Sequence, residues 1–600
     1  MPGCGLAREW FESMKTDPSL PSREPGAGGE DDRRTVARAV ADFLVGHGVE
    51  RVYGLCGGHV LPIWDEADRL GIQVVDVRNE CAAVYMAQAE AELTGRVGVV
   101  LVTAGPGLTN AVTGIANAAM SRSPILIISG RVPRPQAGMG GLQDIPQAAV
   151  VAPLCRRVEV VSERHHVLPR LDAVLDAALG SDGPPGPAYI DFPTDLLREG
   201  LAGAELDRSW FLRRPRSRPR PDQDAVSAAA ELLREARRPL VIAGRGARHC
   251  GPDLERLLDE TGAVYLDTVE SRGVVRHDHP SSVPAMRGRA MREADTVVTL
   301  GRRLDFQVAY GSRAVFASDA RFVRIGRTRE ETGDNRRGDA EVKADVVLVV
   351  ASLLAAGCAP RDLDSGWRAD LVAGNAERAR KLAAAMRDAS PGADGRMHPY
   401  TLIAALNDVI DADAVVVADG GDILSFARVA LVTPAYLDCG PFGCLGVGVP
   451  FATSAALNLP GRPVFALIGD GSFGFTAMEV DTAVRTGARA VFVVANNEGW
   501  NIERHDQLQN YGGNLVGVEL PGCRYDLLAQ SLGAYGERVA SPDELPGALE
   551  RAIERAPSVL DVEVTRDAVS ADFAGGLAGV PDRHALRAWD EAERERLIPS

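Results

Sequence analysis

The sequence predicts an α/β protein of three successive parallel-sheet domains, and three observations carry that prediction. A chain of 600 residues exceeds what one hydrophobic core organises, so several domains of roughly 100–200 residues are expected. Near-continuous Val/Ile/Leu runs recur along it, the pattern of strands covered on both faces. Amphipathic Ala/Leu/Glu/Arg-rich stretches separate the runs, as the crossover helices of a parallel sheet do.

Residues 1–33, with PSLPSREPGAGGEDDRR, carry no helical or strand period and read as a flexible N-terminal arm. In the first domain, 34–200, VGVVLVTAG (97–105), SPILIISG (123–130) and PAYIDFP are the strand signals. The Pro-broken basic stretch RRPRSRPRPD (213–222) lies in a linker over 201–222 and reads as a solvated connector, with an anion-binding patch as the alternative. The middle domain, 223–365, has RPLVIAGRG (238–246), GAVYLDT (262–268) and ADTVVTLG (294–301) as strands. A helical linker covers 366–396. The third domain, 397–566, carries DAVVVADGG (413–421), RPVFALIGDG (462–471), RAVFVVANN (489–497) and SVLDVEV (558–564). Residues 567–600 form a polar, helix-prone tail, which the sequence leaves open as a cover for a site.

Composition narrows the function classes. With 46 % apolar and 25 % charged residues the chain is neither disordered nor fibrous. Its 66 basic and 82 acidic residues leave a net charge of −16, which repels a polyanion, so nucleic acid is not expected as a partner. Nine scattered cysteines without a CxxC pair suit reduced thiols. No signal pattern opens the chain and no apolar run reaches the roughly 18–20 residues that span a bilayer, so the expectation is a cytoplasmic protein with no membrane partner.

The strongest local signal is GDGSFGFTAMEVDTAVRTGARAVFVVANNEGW (469–500), in which a strand enters Gly-Asp-Gly-Ser, a helix follows, and a second strand ends in Asn-Asn. Adjacent parallel strands bring Asp470 and Asn497 together at their carboxyl ends, where open α/β sheets bind ligands. A carboxylate, an amide oxygen and a backbone carbonyl are hard ligands suited to Mg²⁺, and the N–H groups of Gly471 and Ser472 suit phosphate oxygens.

That stretch resembles the thiamine-diphosphate motif, and residues 34–566 resemble the decarboxylase/acetolactate synthase branch of thiamine-diphosphate-dependent enzymes. The resemblance implies a pyrimidine-binding, a middle and a diphosphate-binding domain, with thiamine diphosphate and Mg²⁺ as cofactors. It places Asp470, Asn497 and the carbonyl of Gly499 on the metal, and Gly471 and Ser472 on the diphosphate. CGPFGCLGVGVP (439–450) is similar to the segment under the cofactor, which puts Gly443 and Leu445 against it. Glu80, in DVRNECAAVYMAQAEAELTG (76–95), takes the place of the glutamate that bonds the aminopyrimidine ring. A carboxyl in apolar company can pass a proton to that ring. In this family Glu80 and the Asp470 cradle of one site come from different chains, so a homodimer or dimer of dimers is implied.

The pocket walls resemble benzaldehyde lyase, 2-hydroxyacyl-CoA lyase and oxalyl-CoA decarboxylase. YGLCGGHVLPIWDEA (53–67) and GGLQDIPQAAVVAP (140–153) imply that His59 and Gln143 handle substrate protons and oxyanion, and NNEGWNIERHDQ implies that Trp500 and His505 line the substrate entrance. Such relatives hold a CoA nucleotide with basic residues, for which Arg245 and Arg248 in GRGARHCG (244–251) are candidates. Three departures matter. No His-His pair follows the first domain's glycine loop, against simple aldehyde release from a keto acid. RLDFQ (303–307) puts Phe306 and Gln307 where acetolactate synthases resemble RFDDR. ADGGDIL (418–424) puts Asp422 where relatives present a neutral side chain near the diphosphate. The expected activity is a lyase/carboligase acting on 2-hydroxy-carbonyl or 2-keto acid substrates through a C2 carbanion or enamine. Acetolactate-synthase-like condensation, oxalyl-CoA-type decarboxylation and a non-catalytic relative are the alternatives.

Overall fold

The computed structural model describes residues 33–181, 183–202, 208–213 and 218–570. Nearly all of the expected arm and the tail beyond 570 lie outside the described residues. The first domain carries β1 (Arg33–Thr35), β2 (Arg51–Gly54), β3 (Gln73–Asp76), β4 (Gly98–Val102), β5 (Ile125–Arg131), β6 (Val158–Val160), β7 (Pro187–Pro193) and β8 (Gly200–Ala202). Six of them form one parallel sheet in the order β3-β2-β4-β5-β7-β6, while β1 pairs antiparallel with β8.

The middle domain holds β9 (Pro239–Ala243), β10 (Val264–Leu266), β11 (Thr296–Leu300), β12 (Arg321–Gly326) and β13 (Ala340–Lys343), parallel in the order β10-β9-β11-β12-β13. The third holds β14 (Val415–Asp419), β15 (Tyr436–Leu437), β16 (Val464–Gly469), β17 (Val491–Asn496), β18 (Tyr535–Val539) and β19 (Ser558–Glu563). Its parallel order, β15-β14-β16-β17-β19-β18, repeats that of the first domain strand for strand. In each sheet the central strands are apolar and wholly buried, β4, β9, β11, β14 and β17 among them, which explains their unbroken Val/Ile/Leu runs.

The first and third domains share one core, because the helix Glu80–Thr94 packs on the helix Gly448–Asn458. Both helices are buried nearly all round, so neither shows a clean apolar stripe. Polar pairs fix their register: Tyr53 donates to Glu90 at 2.9 Å, Asn458 donates to the Tyr53 oxygen at 2.8 Å, and Ser454 donates to the Met86 carbonyl at 2.7 Å. The middle domain is clamped to the first by Arg245 and Arg248 on Glu92, at 3.0 and 2.9 Å, and by Arg122 on Glu331 at 2.6 Å. The cysteines among the described residues are free thiols, and no described helix is long and apolar enough to cross a membrane.

Candidate active site

The site of the third domain lies at the carboxyl ends of β14, β16 and β17, where the strand order reverses. Strand β16 stays extended through Gly469 and turns into the helix Asp470–Thr476. Asp470 is buried there and accepts the Gly499 N–H at 3.0 Å. Burial pushes its carboxyl up to about 7, against the pull of the Gly471 and Gly499 N–H groups. At the end of β17, Asn497 offers its Nδ2 to Asp422 at 3.5 Å, and its Oδ1 is buried without a partner. The turn beyond is tight: Glu498 is left-handed at φ 56°, and a Cβ on Gly499 would stand 2.7 Å from the Val518 carbonyl. Trp500 lies against Gly471, where a Cβ would come within 2.5 Å of the indole.

A cavity of about 600 Å³ opens over this cradle, and Gly443, Leu445, Asp470, Ser472, Asn497 and Gly499 line it. The loop with Leu445 is held by Asp419, whose Oδ2 accepts the N–H groups of Gly446 and Gly448 at 3.0 and 2.9 Å. Among the described residues no three His, Cys, Asp or Glu side chains converge on a metal position. The donors are instead one carboxylate, one amide oxygen left unpartnered, and backbone carbonyls, a hard-oxygen set whose chemistry would fit Mg²⁺.

The first domain gathers a second cluster. Glu80 is buried at the start of its helix, and Asn110 donates to its Oε2 at 3.0 Å. Asn79 caps that helix by accepting the Cys81 N–H at 2.9 Å. Glu479 of the third domain accepts the N–H groups of Arg78 and Asn79 at 3.0 and 3.1 Å. A Cβ on Gly107 would sit 3.4 Å from Glu80 Oε1 and 2.7 Å from Thr103, so the bare glycine lets the Thr103 loop approach the carboxylate. Thr103 Oγ1 is 3.4 Å from His59 Nδ1, and His59 is hydrogen-bonded to Gln143. Burial lowers the His59 pKa, which keeps the imidazole neutral near pH 7. Gln143 is itself left-handed at φ 65°, pressed against Gly105. The Gly105 N–H is taken by Gln147, which also bonds Tyr189 at 2.8 Å. Glu80, His59 and Gln143 thus form one cluster, and none of them lines the cavity that holds Asp470 and Asn497.

Family models for thiamine pyrophosphate enzymes match all three domains: the N-terminal TPP-binding domain over residues 34–150, the central domain over 226–353 and the C-terminal TPP-binding domain over 420–562. The chain belongs to the thiamine pyrophosphate enzymes. It is 34 % identical over 532 residues to a probable acetolactate synthase of Mycobacterium bovis, covering 88 % of this chain and 95 % of the relative. It is 32 % identical over 553 residues to 2-hydroxyacyl-CoA lyase 2 of Caenorhabditis elegans, with 85 % of each chain covered. To 2-hydroxyacyl-CoA lyase 1 of Mus musculus it is 31 % identical over 556 residues, with 88 % and 93 % covered.

Within this thiamine pyrophosphate enzyme, Trp500 lines the cavity, and His505 does not. His505 is buried on the helix Asn501–Asn510, with Nε2 at 3.2 Å from the Asn501 amide and 3.1 Å from the Ala568 carbonyl. Arg245 and Arg248 line a separate cavity of about 330 Å³ between the first and middle domains. Both pair with the single carboxylate of Glu92 there; burial opposes its charge, yet the two guanidiniums hold it down at about 2. Asp422 faces the cofactor cavity, accepts Asn501 Nδ2 at 2.8 Å, and leaves its Oδ1 unpartnered. Burial pushes Asp422 up to about 6. Asn110, Asp419, Glu479 and Gln147 are supports that sequence reasoning assigned no role. All four lie inside or beside quoted motifs, but each acts on a partner that only the fold brings near.

Proposed function

We propose that the protein is a Mg²⁺- and thiamine-diphosphate-dependent C–C lyase or carboligase of 2-hydroxy-carbonyl or 2-keto acid substrates, working as a homodimer or dimer of dimers. The observation that carries the reading is the meeting of His59 and Gln143 beside Glu80: a neutral imidazole and an amide donor next to a buried carboxyl. Thiamine diphosphate supplies a carbon nucleophile at C2 of its thiazolium. Asp470, Asn497 and the Gly499 carbonyl would hold the metal, Gly471 and Ser472 the diphosphate, and Leu445 the body of the cofactor. The Glu80 carboxyl holds and passes the proton at the aminopyrimidine ring. His59 accepts the proton of the substrate hydroxyl, and Gln143 donates to the oxygen on which charge develops.

The separation of the Glu80 cluster from the Asp470 cavity supports assembly from two chains. So do the apolar side chains left bare at both halves: Met139 and Leu142 are 79 % and 78 % exposed beside Gln143, and Phe475 is 63 % exposed beside Trp500. The name of the Mycobacterium bovis relative favours a second reading, decarboxylating condensation of 2-keto acids. A product-resolved turnover screen of the holoenzyme with 2-keto acids, acyloins and 2-hydroxyacyl-CoA thioesters separates them. The lyase reading expects aldehyde from an acyloin or thioester without CO₂; CO₂ with a condensed hydroxyketone from a keto acid alone would replace it with the synthase reading.

A further inference from the structure

His59 and Gln143 stand on separate loops, and each is seated on a glycine. A Cβ on Gly130, near the end of β5, would stand 2.4 Å from the His59 carbonyl oxygen and 2.5 Å from the His59 Cβ. A Cβ on Gly105 would come within 2.8 Å of the Gln143 Cβ. Only bare backbone fits at either place. One buried side chain joins the two glycines. The Gln147 Oε1 accepts the Gly105 N–H at 3.2 Å, and its Nε2 donates to the Gly130 carbonyl at 2.9 Å. The orientation of this amide is fixed from behind. Burial pushes the Asp191 carboxyl up to about 6, against the pull of Arg131 at 3.8 Å, so near pH 7 it is an acceptor only. It accepts the Tyr189 hydroxyl at 2.9 Å, which leaves the Tyr189 oxygen to accept Gln147 Nε2 at 2.8 Å. A flipped amide would set its oxygen against the Gly130 carbonyl and its NH₂ against the Gly105 N–H, losing both bonds. Gln147 does not line the cofactor cavity, so whatever it does for the reaction passes through the two backbones it holds. Those backbones carry the pair whose spacing decides whether a proton and an oxyanion are met together, and a misplacement of about 1 Å costs up to about a hundredfold in rate.

We propose that Gln147 is a positioning residue for the proton-handling pair: by bridging Gly105 and Gly130 it sets where Gln143 stands relative to His59. The proposal rests on the lyase/carboligase reading for the roles of those two residues. Asp191 and Tyr189 complete the device by holding the Gln147 amide in the one orientation that makes both bonds.

The test compares Gln147→Met, which keeps the volume and removes both bonds, with Gln147→Asn, whose amide is too short to span the two glycines. The histidine-labelled, thiamine-diphosphate- and Mg²⁺-loaded enzyme is titrated by NMR, with His59→Ala assigning the resonance, and is assayed on the acyloin, keto acid or thioester that it turns over. In Gln147→Met the His59 midpoint, held down by burial in wild type, is expected to rise towards the ordinary value of 6.5. Turnover is expected to lose about tenfold to a hundredfold in kcat while KM stays within about twofold. Gln147→Asn is expected to fall between Gln147→Met and wild type. An unmoved His59 midpoint in both variants, a kcat within about twofold of wild type, or a loss confined to KM would each overturn the proposal. Two variants that no longer fold would overturn it as well, by making Gln147 a purely structural residue. The NMR readout needs no turnover. A shifted midpoint in an enzyme that turns over none of the substrates would therefore keep the positioning role and sink the functional reading, whereas turnover with an unmoved midpoint would sink the positioning role alone.

Discussion

At the residue scale, the cofactor cavity carries carboxyls besides Asp470, and Asp422 is the buried one among them. Asp422 is an acid whose folded form keeps its proton up to about pH 6, against an ordinary value near 3.8, because burial outweighs the Asn501 hydrogen bond. Between those values the native state binds more protons than the unfolded chain, so stability falls as pH rises and the loss is complete above about 6. Asp422→Asn removes that penalty and keeps an acceptor for Asn501. Thermal melts of the apo protein are expected to show the variant more stable by roughly 2–3 kcal/mol at pH 8, with the gap closing towards pH 4. A constant gap over that range would show that Asp422 stays ionised. Glu80 is the other decisive carboxyl. Glu80→Gln is expected to bind cofactor with near wild-type affinity and to slow C2–H exchange by about a hundredfold or more, read by deuterium exchange of the bound cofactor. Unchanged exchange would remove Glu80 from the acid–base role.

At the scale of elements, the helix Glu80–Thr94 takes its start from another domain. Glu479 closes the N–H groups of Arg78 and Asn79, and Thr482 donates back to it at 2.6 Å. Glu479→Ala leaves two part-buried backbone donors without their acceptor, an expected cost of roughly 1–3 kcal/mol. Chemical denaturation checks the magnitude, and a loss under about 0.5 kcal/mol would mean that water replaces the carboxylate. This contact was not legible in the sequence, because Glu479 and Arg78 are joined only through the packing of the first domain on the third. Asp470 and Asn497 were legible, since one strand–helix–strand unit sets their placement and the register pairs Gly469 with Ala495. The same contrast holds for strands. VGVVLVTAG and RAVFVVANN announce β4 and β17 through burial on both faces. RFVRIG of β12 does not read as a buried strand, because Arg324 sits wholly inside it. Its guanidinium is satisfied by Thr299 at 3.0 Å and by the Glu331 carbonyl at 2.7 Å.

At the scale of the whole molecule, the first and third sheets have the same strand order, and each carries one cluster of the candidate residues. In the proposed reading each cluster is half of a site: Glu80, His59 and Gln143 carry proton chemistry without a diphosphate cradle, and Asp470 and Asn497 carry the cradle without a proton relay. The shared core of the two domains within one chain fixes the halves in separate places, and the bare Met139, Leu142 and Phe475 mark the surfaces that a second copy would cover. The sequence resemblance implied this division, but periodicity and spacing did not contain it, because the distance between the halves is a property of domain packing. The most direct test is to co-express Glu80→Gln and Asp470→Ala chains under separate tags and measure C2–H exchange of bound thiamine diphosphate in the isolated hybrid. With sites built across two chains, each variant alone is inactive, and the hybrid holds one wild-type site in two, giving about half the wild-type exchange per dimer. A hybrid as inactive as its parents would place the whole site within one chain and contradict the account.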